Sequence, residues 1–390
     1  MANTDTIHAV AETEGRRPHV VFVINAPIVG GAEKHTFAVT EGLARRGWRT
    51  AVFAVRHGNL AAPAAVEFCQ PAVGAQHSFI GRLLNLAAFI RAQRPDVVIG
   101  VNGRPLLMAY LARVLARRPC ALVGITHSSI FRTRYEALWE MIYRPFYSRA
   151  QSLVFISQNQ RRLWREYGIR PRTDTVILNG IDMDRFSLAS RNENRATMRR
   201  KLGFSQADFV VGCCSMLRPE KNHLQLVEAI ARLRRRNIPA KALIVGDGPM
   251  RQAILAAAVR TGVSDQVQLI GAQTDVRPYL STFDIGVLCS KAIETLSLAA
   301  LETMATGVPM LMSDLGGASE IVDGANGAIF PVGDTDALEA LLCEFYARIQ
   351  DADLGQGIRD SVVTKFDQNT MIDGFAEYLK RYIYSPGLNT

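Results

Sequence analysis

The chain has little of what an embedded, exported or metal-binding protein needs. No apolar run in its 390 residues approaches the ~18–20 residues of a membrane span, so a soluble or peripheral protein is expected. Met1 to Arg17 is polar and acidic where a secretory leader would carry an apolar core, and reads as a disordered lead-in. Six cysteines (Cys69, Cys120, Cys213, Cys214, Cys289 and Cys343) show no C-x-x-C spacing and sit mostly in apolar runs. They fit small core residues of a reducing cytoplasm, not disulfides or metal ligands. Three D-x-D triplets, Asp182/Asp184, Asp334/Asp336 and Asp351/Asp353, read as helix caps and solvated turns, so no metal is implied.

Lysine is also scarce in the first half. Up to position 185 there are 24 Lys+Arg against 13 Asp+Glu, a balance of +11, and Lys34 is the one cation there that is not arginine. The remainder holds 45 − 24 = 21 cations against 36 − 13 = 23 anions, or −2. A basic first half beside a near-neutral second half suggests a lobe that faces an anionic surface or substrate. The length predicts two or three domains, and 48% hydrophobic residues is ample for large cores.

The most informative stretch runs from Phe283 to Asp314. An apolar strand (Ile285 to Leu288) leads through a polar turn to an Ala/Leu-rich helix stopped by Gly307 and Pro309, and Val308 to Met312 reads as a second strand. Glu302 is the only charge between Thr295 and Ser313, and its carboxylate among Leu298, Leu301 and Met304 would be costly to bury without hydrogen bonds. Glu294 closes the turn. The helix start near Ser297 and Leu298 offers unpaired amides and a positive dipole end, which suits an anion such as phosphate. Glu294, these amides and Glu302 make a site for an anionic ligand that also carries hydroxyls.

Glu294 and Glu302 form an E-x7-E pattern, and strand, turn, helix, Gly-x-Pro stop and Asp314-Leu315-Gly316-Gly317 fall in register around it. In this context the chain resembles the retaining glycosyltransferases of family 4, which have the GT-B fold. The resemblance implies an α/β architecture of two Rossmann-like doubly wound parallel-sheet domains facing across a cleft. It places Glu302 on the nucleotide ribose and Glu294 against the donor sugar, with Thr295, Leu296, Ser297 and Leu298 around the donor. Met216-Leu217-Arg218-Pro219-Glu220-Lys221 matches the family's phosphate clamp at Lys221 but has Met216 where an Arg usually stands, so Arg218 is the candidate second cation. Gly246 belongs to a Gly-x-Gly-Pro loop, and Ile270 or Gly271 falls where the family's backbone meets the nucleobase.

The first lobe opens with a strand from His19 to Asn25, then Gly30-Gly31-Ala32-Glu33, a helix with Phe37, Val39 and Leu43 on its apolar side, and a strand from Thr50 to Val55. This βαβ unit has a phosphate-friendly turn but lacks the third glycine of a dinucleotide fingerprint, which argues against a nicotinamide cofactor. By resemblance, Gly30 and Gly31 come beneath the donor diphosphate. Ile80 to Arg94, with Leu83, Leu84, Leu86, Ala87 and Ile90 on its apolar spacing, and Leu106 to Leu115 show helical spacing. A strand from Ala121 to Thr126 delivers His127 at its carboxyl end, where ligands of such sheets bind and where the family puts a histidine against the sugar. Ser129 to Gln151 alternates aromatic and basic residues, among them Phe131, Arg132, Arg134, Tyr135, Trp139, Tyr143, Arg144, Phe146 and Tyr147. Two readings stay open: a lipid-facing surface, or an amphipathic helix with aromatics on the core and arginines in solvent. No nucleic-acid module accompanies it. Ser152 to Ser157 reads as the last strand of this lobe, and Arg185 to Gly203 as an irregular crossing.

The domains expected are a lead-in (1–17), an acceptor-binding domain (18–185), a nucleotide-sugar-binding domain (186–370) and a terminal helix (371–390) crossing back to the first. The expected activity is retaining, metal-independent transfer of a sugar from a nucleoside diphosphate sugar to a glycan or lipid-linked acceptor of a bacterial surface polysaccharide or lipopolysaccharide, with no cofactor. A UDP-sugar is favoured over a GDP-sugar on family frequency alone. The expected location is the cytoplasm, with peripheral attachment to the anionic cytoplasmic face of the inner membrane. A sugar-nucleotide epimerase of the same fold and a non-catalytic nucleotide-sugar-binding scaffold are the competing readings.

Overall fold

The structure, a computed structural model, describes residues 16–27, 30–72, 78–127, 134–292, 294–348 and 354–384. The chain divides into two compact units, one taking residues up to Asn179 together with those from Asn369 on, the other Gly180–Gln368.

The first unit is built on a parallel sheet of strands β1 (His19–Ile24), β2 (Arg49–Ala54), β3 (Glu67–Cys69), β4 (Val97–Val101), β5 (Ala121–Thr126), β6 (Ser152–Phe155) and β7 (Thr173–Val176), in the order β3-β2-β1-β4-β5-β6-β7. β1, β4 and β5 are buried along their whole length. Unbroken apolar strands of this kind are what helices on both faces of a parallel sheet require. On one face the helix Gly31–Arg45 supplies Phe37, Val39 and Leu43, and the terminal helix Gln368–Ile383 supplies Ile372, Phe375 and Leu379. On the other, the helices Phe79–Gln93 and Gly103–Ala116 bury Leu86, Ile90, Leu106 and Met108, with Tyr147 and Trp164 beside them. The Tyr378 hydroxyl shares a short hydrogen bond with Ser152 Oγ, which ties the terminal helix to β6.

The second unit carries a parallel sheet of β8 (Phe209–Cys214), β9 (Ala240–Val245), β10 (Val267–Gly271), β11 (Ile285–Leu288), β12 (Met310–Ser313) and β13 (Gly327–Phe330), in the order β10-β9-β8-β11-β12-β13. In each sheet the order reverses once about its centre, between β1 and β4 and between β8 and β11. Such a switch point opens a crevice beyond the carboxyl ends of the strands, where ligands of open α/β sheets bind.

Four sequence expectations need correction. Ser152 to Ser157 is not the last strand of the first unit: it ends at Phe155, a helix Gln158–Glu166 follows, and β7 pairs beside it. β7 (Thr-Asp-Thr-Val) is too short and polar to show as an apolar run. Arg185 to Gly203 is not irregular; Leu188–Lys201 is a helix whose Arg191, Arg195 and Arg199 recur every fourth residue toward the Phe283–Asp284 segment. Arg195 and Arg199 both pair with Asp284, and Arg199, 1% exposed, also donates to the Thr282 carbonyl at 3.0 Å. The unit boundaries fall at 179/180 and 368/369, not at 185/186 and 370/371. Leu84 is exposed, not on the buried side of its helix.

Candidate active site

In the second unit the switch point brings two charged side chains together. Lys221 lies in the loop after β8 and Glu294 in the loop after β11, and Lys221 Nζ donates to Glu294 Oε2 at 2.6 Å. Both side chains are largely buried, at 20% and 10% exposure, so the pair is screened less than a surface bridge would be. Ser290 Oγ donates to the same oxygen at 2.8 Å, and neither contact falls on Oε1. An ammonium carries three donors, so Lys221 keeps capacity for oxygens other than those of Glu294.

The backbone around this pair is held from below. Gly316 has φ +62°, and a Cβ there would collide with the Glu294 carbonyl oxygen. Gly317 N–H donates to the Thr295 carbonyl at 2.7 Å, which fixes Thr295 and the buried Leu296 ahead of the next helix. That helix, Leu298–Ala305, opens with Ser297 as N-cap, its Oγ accepting from Ala300 N–H at 3.3 Å. In any helix the first-turn amides, here those of Leu298 and Ala299, have no partner within the helix and point along the axis at its positive end. Glu302 stands in the middle of this helix and is half-buried, so it does not carry the desolvation cost of a fully buried carboxylate.

The loop after β8 is packed on the loop after β9. Gly246 has φ +149°, and a Cβ there would run into the Ser215 carbonyl; Leu217 N–H donates to the Asp247 carbonyl at 3.0 Å. Met216, the departure from the family pattern, is exposed at 44%. Arg218 is half-buried, two residues on, with its guanidinium 3.9 Å from Glu220. At the carboxyl end of β10 the register against β9 shifts between Leu269 and Gly271, so Ile270 is the extra residue of a bulge. A bulged residue is left out of the ladder, and the Ile270 carbonyl takes a long contact of 3.4 Å from Gln273 Nε2.

In the first unit the candidates also lie at carboxyl strand ends. Gly30 is the extended N-cap of the helix that Gly31 begins, with no side-chain cap, and Glu33 in the first turn is raised above its ordinary value by burial. His127 follows β5. Its N–H donates to Asn102 Oδ1 at 2.9 Å, and Asn102, in the left-handed region at φ +68°, donates its own N–H to the Ile125 carbonyl at 2.7 Å. Burial lowers His127 to about 4, so its imidazole is neutral at physiological pH. Asn102 went unnoticed in the sequence, although an Asn between an apolar strand and a helix is a recognisable left-handed turn signal.

The D-x-D triplets act locally where they can be seen. Asp182 Oδ1 accepts from the amides of Asp184 and Arg185, and Asp334 Oδ1 caps a helix through Ala337 N–H at 2.9 Å. Asp351/Asp353 lie outside the described residues, as do Phe131 and Arg132. All six cysteines are free, and Cys120, Cys213 and Cys289 are buried.

Two Rossmann-like parallel-sheet units, each with its candidate groups at a strand-order reversal and with an anion-receptive helix start beside a Lys–Glu pair in the second, define a glycosyltransferase of the GT-B fold. Family models agree over both units: one described as Glycosyltransferase Family 4 matches residues 29–185, and one described as Glycosyl transferases group 1 matches 208–348. The chain belongs to glycosyltransferase family 4. It is 31% identical over 275 residues to a GDP-mannose-dependent monoacylated alpha-(1-6)-phosphatidylinositol monomannoside mannosyltransferase of Corynebacterium glutamicum, covering 66% of this chain and 69% of that one. It is 24% identical over 265 residues to an Escherichia coli UDP-Gal:alpha-D-GlcNAc-diphosphoundecaprenol alpha-1,3-galactosyltransferase, covering 65% and 67%. The crystal structure of Anabaena HepE in complex with UDP and glucose superposes with a TM-score of 0.77 at 22% identity, over 93% of this chain and 99% of that one. That likeness shows the shared fold.

Proposed function

We propose that the protein transfers a sugar, with retention at the anomeric carbon and without a metal, from a nucleoside diphosphate sugar to a glycan or lipid-linked acceptor of a bacterial glycolipid or surface polysaccharide. The observation that carries this reading is the Lys221–Glu294 pair at the second sheet's switch point, next to the amides that open Leu298–Ala305. Breaking the bond from anomeric carbon to phosphate puts negative charge on the departing diphosphate. Lys221, with Arg218 beside it, and the helix amides at Ser297 and Leu298 are the groups that stabilise that charge. Glu302 takes the ribose hydroxyls, Ile270 and Gly246 the nucleobase side, and Glu294 Oε1 a sugar hydroxyl. To Gly30 and Gly31 we assign the donor phosphates, and to neutral His127 a hydrogen bond to the sugar. Both motif carboxylates are thereby assigned to hydroxyls, which leaves same-face attack by the acceptor oxygen, with the leaving phosphate accepting its proton.

Relatives named for UDP-sugar and for GDP-mannose both occur, and we favour a UDP-sugar. The test is a thermal-shift panel of UDP, GDP, UDP-glucose, UDP-galactose and GDP-mannose, followed by turnover with a polyprenyl-diphosphate sugar acceptor. A nucleotide at 100 times its Kd adds about 2.7 kcal/mol of stability, a readily measured shift. Donor turnover that needs no acceptor would favour an epimerase, and stabilisation without any product would favour a scaffold.

A lipid-borne acceptor has a match on the first unit's surface. The helices Phe79–Gln93, Gly103–Ala116 and Arg134–Arg149 pack side by side on one face of the sheet. The outer two expose Phe79, Ile80, Leu84, Leu138, Met141 and Ile142, with Arg144 and Arg149 among them. Tyr147 is buried on Trp164 and Tyr143 and Phe146 are half-buried, as the amphipathic reading expects, while Trp139 of the same helix is exposed. Exposed apolar side chains with exposed arginines on the same helix suit an anionic membrane surface.

A further inference from the structure

We infer that His35 is a positioning residue that holds the ring of His127 in its working orientation, an inference that rests on the sugar-facing role proposed for His127. His35 is the fifth residue of the helix Gly31–Arg45 and is 2% exposed. Its ring meets that of His127 edge to face, with centroids 4.7 Å apart and planes at 69°. On its other side Phe375, from the terminal helix, stands 5.6 Å away at 64°. The three rings form a continuous aromatic contact within the first unit, from its last helix to the carboxyl end of β5.

Neither nitrogen of His35 has a hydrogen-bond partner among the described residues. Burying two unsatisfied polar atoms opposes folding, and a leucine or phenylalanine would fill the same space without that cost. The position therefore calls for an explanation beyond packing, and the ring it touches supplies one. The bond from His127 N–H to Asn102 fixes the main chain at the strand end and does not itself act on the side-chain torsions. Edge-to-face contact with a second ring, itself backed by Phe375, restricts them, because aromatic edges and faces attract in that geometry. Burial, then the neighbouring His127, holds His35 well below its ordinary value, so the contact is between neutral rings.

The test compares His35→Ala, His35→Leu and His35→Phe in the wild-type and His127→Ala backgrounds. The readouts are turnover of the nucleotide sugar the wild type uses best, and binding of the matching free nucleotide, UDP or GDP. Ala and Leu are expected to lower kcat about tenfold with little change in KM, inside the hundredfold that an ångström of misplacement can cost. Phe, which keeps an aromatic edge, is expected to restore kcat to within about threefold. In the His127→Ala background the same three substitutions should change nothing further. Free-nucleotide affinity should stay at the wild-type value throughout, which also certifies folding. Wild-type turnover by both His35→Ala and His35→Leu, or an equal loss whether or not His127 is present, overturns the inference. Full turnover by His127→Ala alone is a different failure, which removes the sugar-facing reading and this inference with it.

Discussion

At the scale of single residues, the site turns on how Lys221 and Glu294 divide their bonds. Glu294 accepts from Lys221 and Ser290 through one oxygen, so the lysine side chain is oriented in advance. Preorganised donors of this kind are worth more in catalysis than flexible ones, since nothing need reorganise as charge develops. Lys221→Ala should therefore lower kcat by at least about a hundredfold, or roughly 3 kcal/mol, while nucleotide binding weakens less. Activity within about threefold of wild type, in a variant with an unchanged melting curve, would remove Lys221 from the mechanism. Arg218 is expected to matter less than Lys221, because Glu220 already lies within 3.9 Å of its guanidinium. The acid side carries a second expectation. Burial keeps His127 neutral down to about 4, so its titration contributes no acidic limb to kcat/KM above about pH 5.5. A limb near pH 6.5 that vanishes in His127→Ala would contradict this.

At the scale of elements, what could be read in advance was whatever announces itself through composition. Continuous apolar strands such as β1, β5 and β11, and a helix stopped by Gly307 and Pro309, carry their own punctuation, and Glu294, Lys221 and Ser297 follow from their places in those segments. Edge strands do not: β3 and β7 hold three and four residues, and their partners, not their own side chains, make them strands. The helix Leu188–Lys201 was hidden for a different reason. Its charged residues look solvated until the acceptor, Asp284, is seen 85 to 89 positions away, where it pairs with Arg195 and Arg199 and takes the Val210 N–H at 2.7 Å. The Asn102–His127 bond and the His35–His127 contact are hidden likewise, since each joins loops or helices from separate βα units. The Asp284 cluster makes a stability prediction. Asp284→Ala leaves the largely buried Arg199 without its carboxylate, a loss of the kind that costs about 3–5 kcal/mol. Urea unfolding should show this fall in the second unit, and Asp284→Asn, which still accepts hydrogen bonds, should recover part of it. A change under about 1 kcal/mol would mean that the backbone carbonyls alone hold the helix.

At the scale of the molecule, charge and apolar surface are unevenly shared. The cation excess of +11 belongs to the first 185 residues, and the exposed apolar side chains of Phe79–Gln93 and Arg134–Arg149 belong to that same unit. No helix among the described residues is long and apolar enough to cross a membrane, and the surface proposed to meet one is tested by its two contributions. Each part alone is weak: scattered apolar residues are ordinary on a protein surface, and a basic residue near an anionic leaflet is worth about 1 kcal/mol. On the proposed membrane-facing surface the two would add, and their sum has two separable signatures. Electrostatic attraction is lost when salt shortens the Debye length from about 10 Å at 0.1 M to about 3 Å at 1 M, whereas apolar insertion is not. Co-sedimentation with phosphatidylglycerol-containing vesicles should accordingly be strong at low salt, fall steeply at 1 M, and be absent with phosphatidylcholine alone. The double variant Ile80→Ser/Met141→Ser should weaken binding at both salt concentrations, because it removes the part that salt does not touch. Equal binding to neutral and anionic vesicles, or none to either, would leave the arginine excess to serve the acceptor or donor phosphates instead of a membrane.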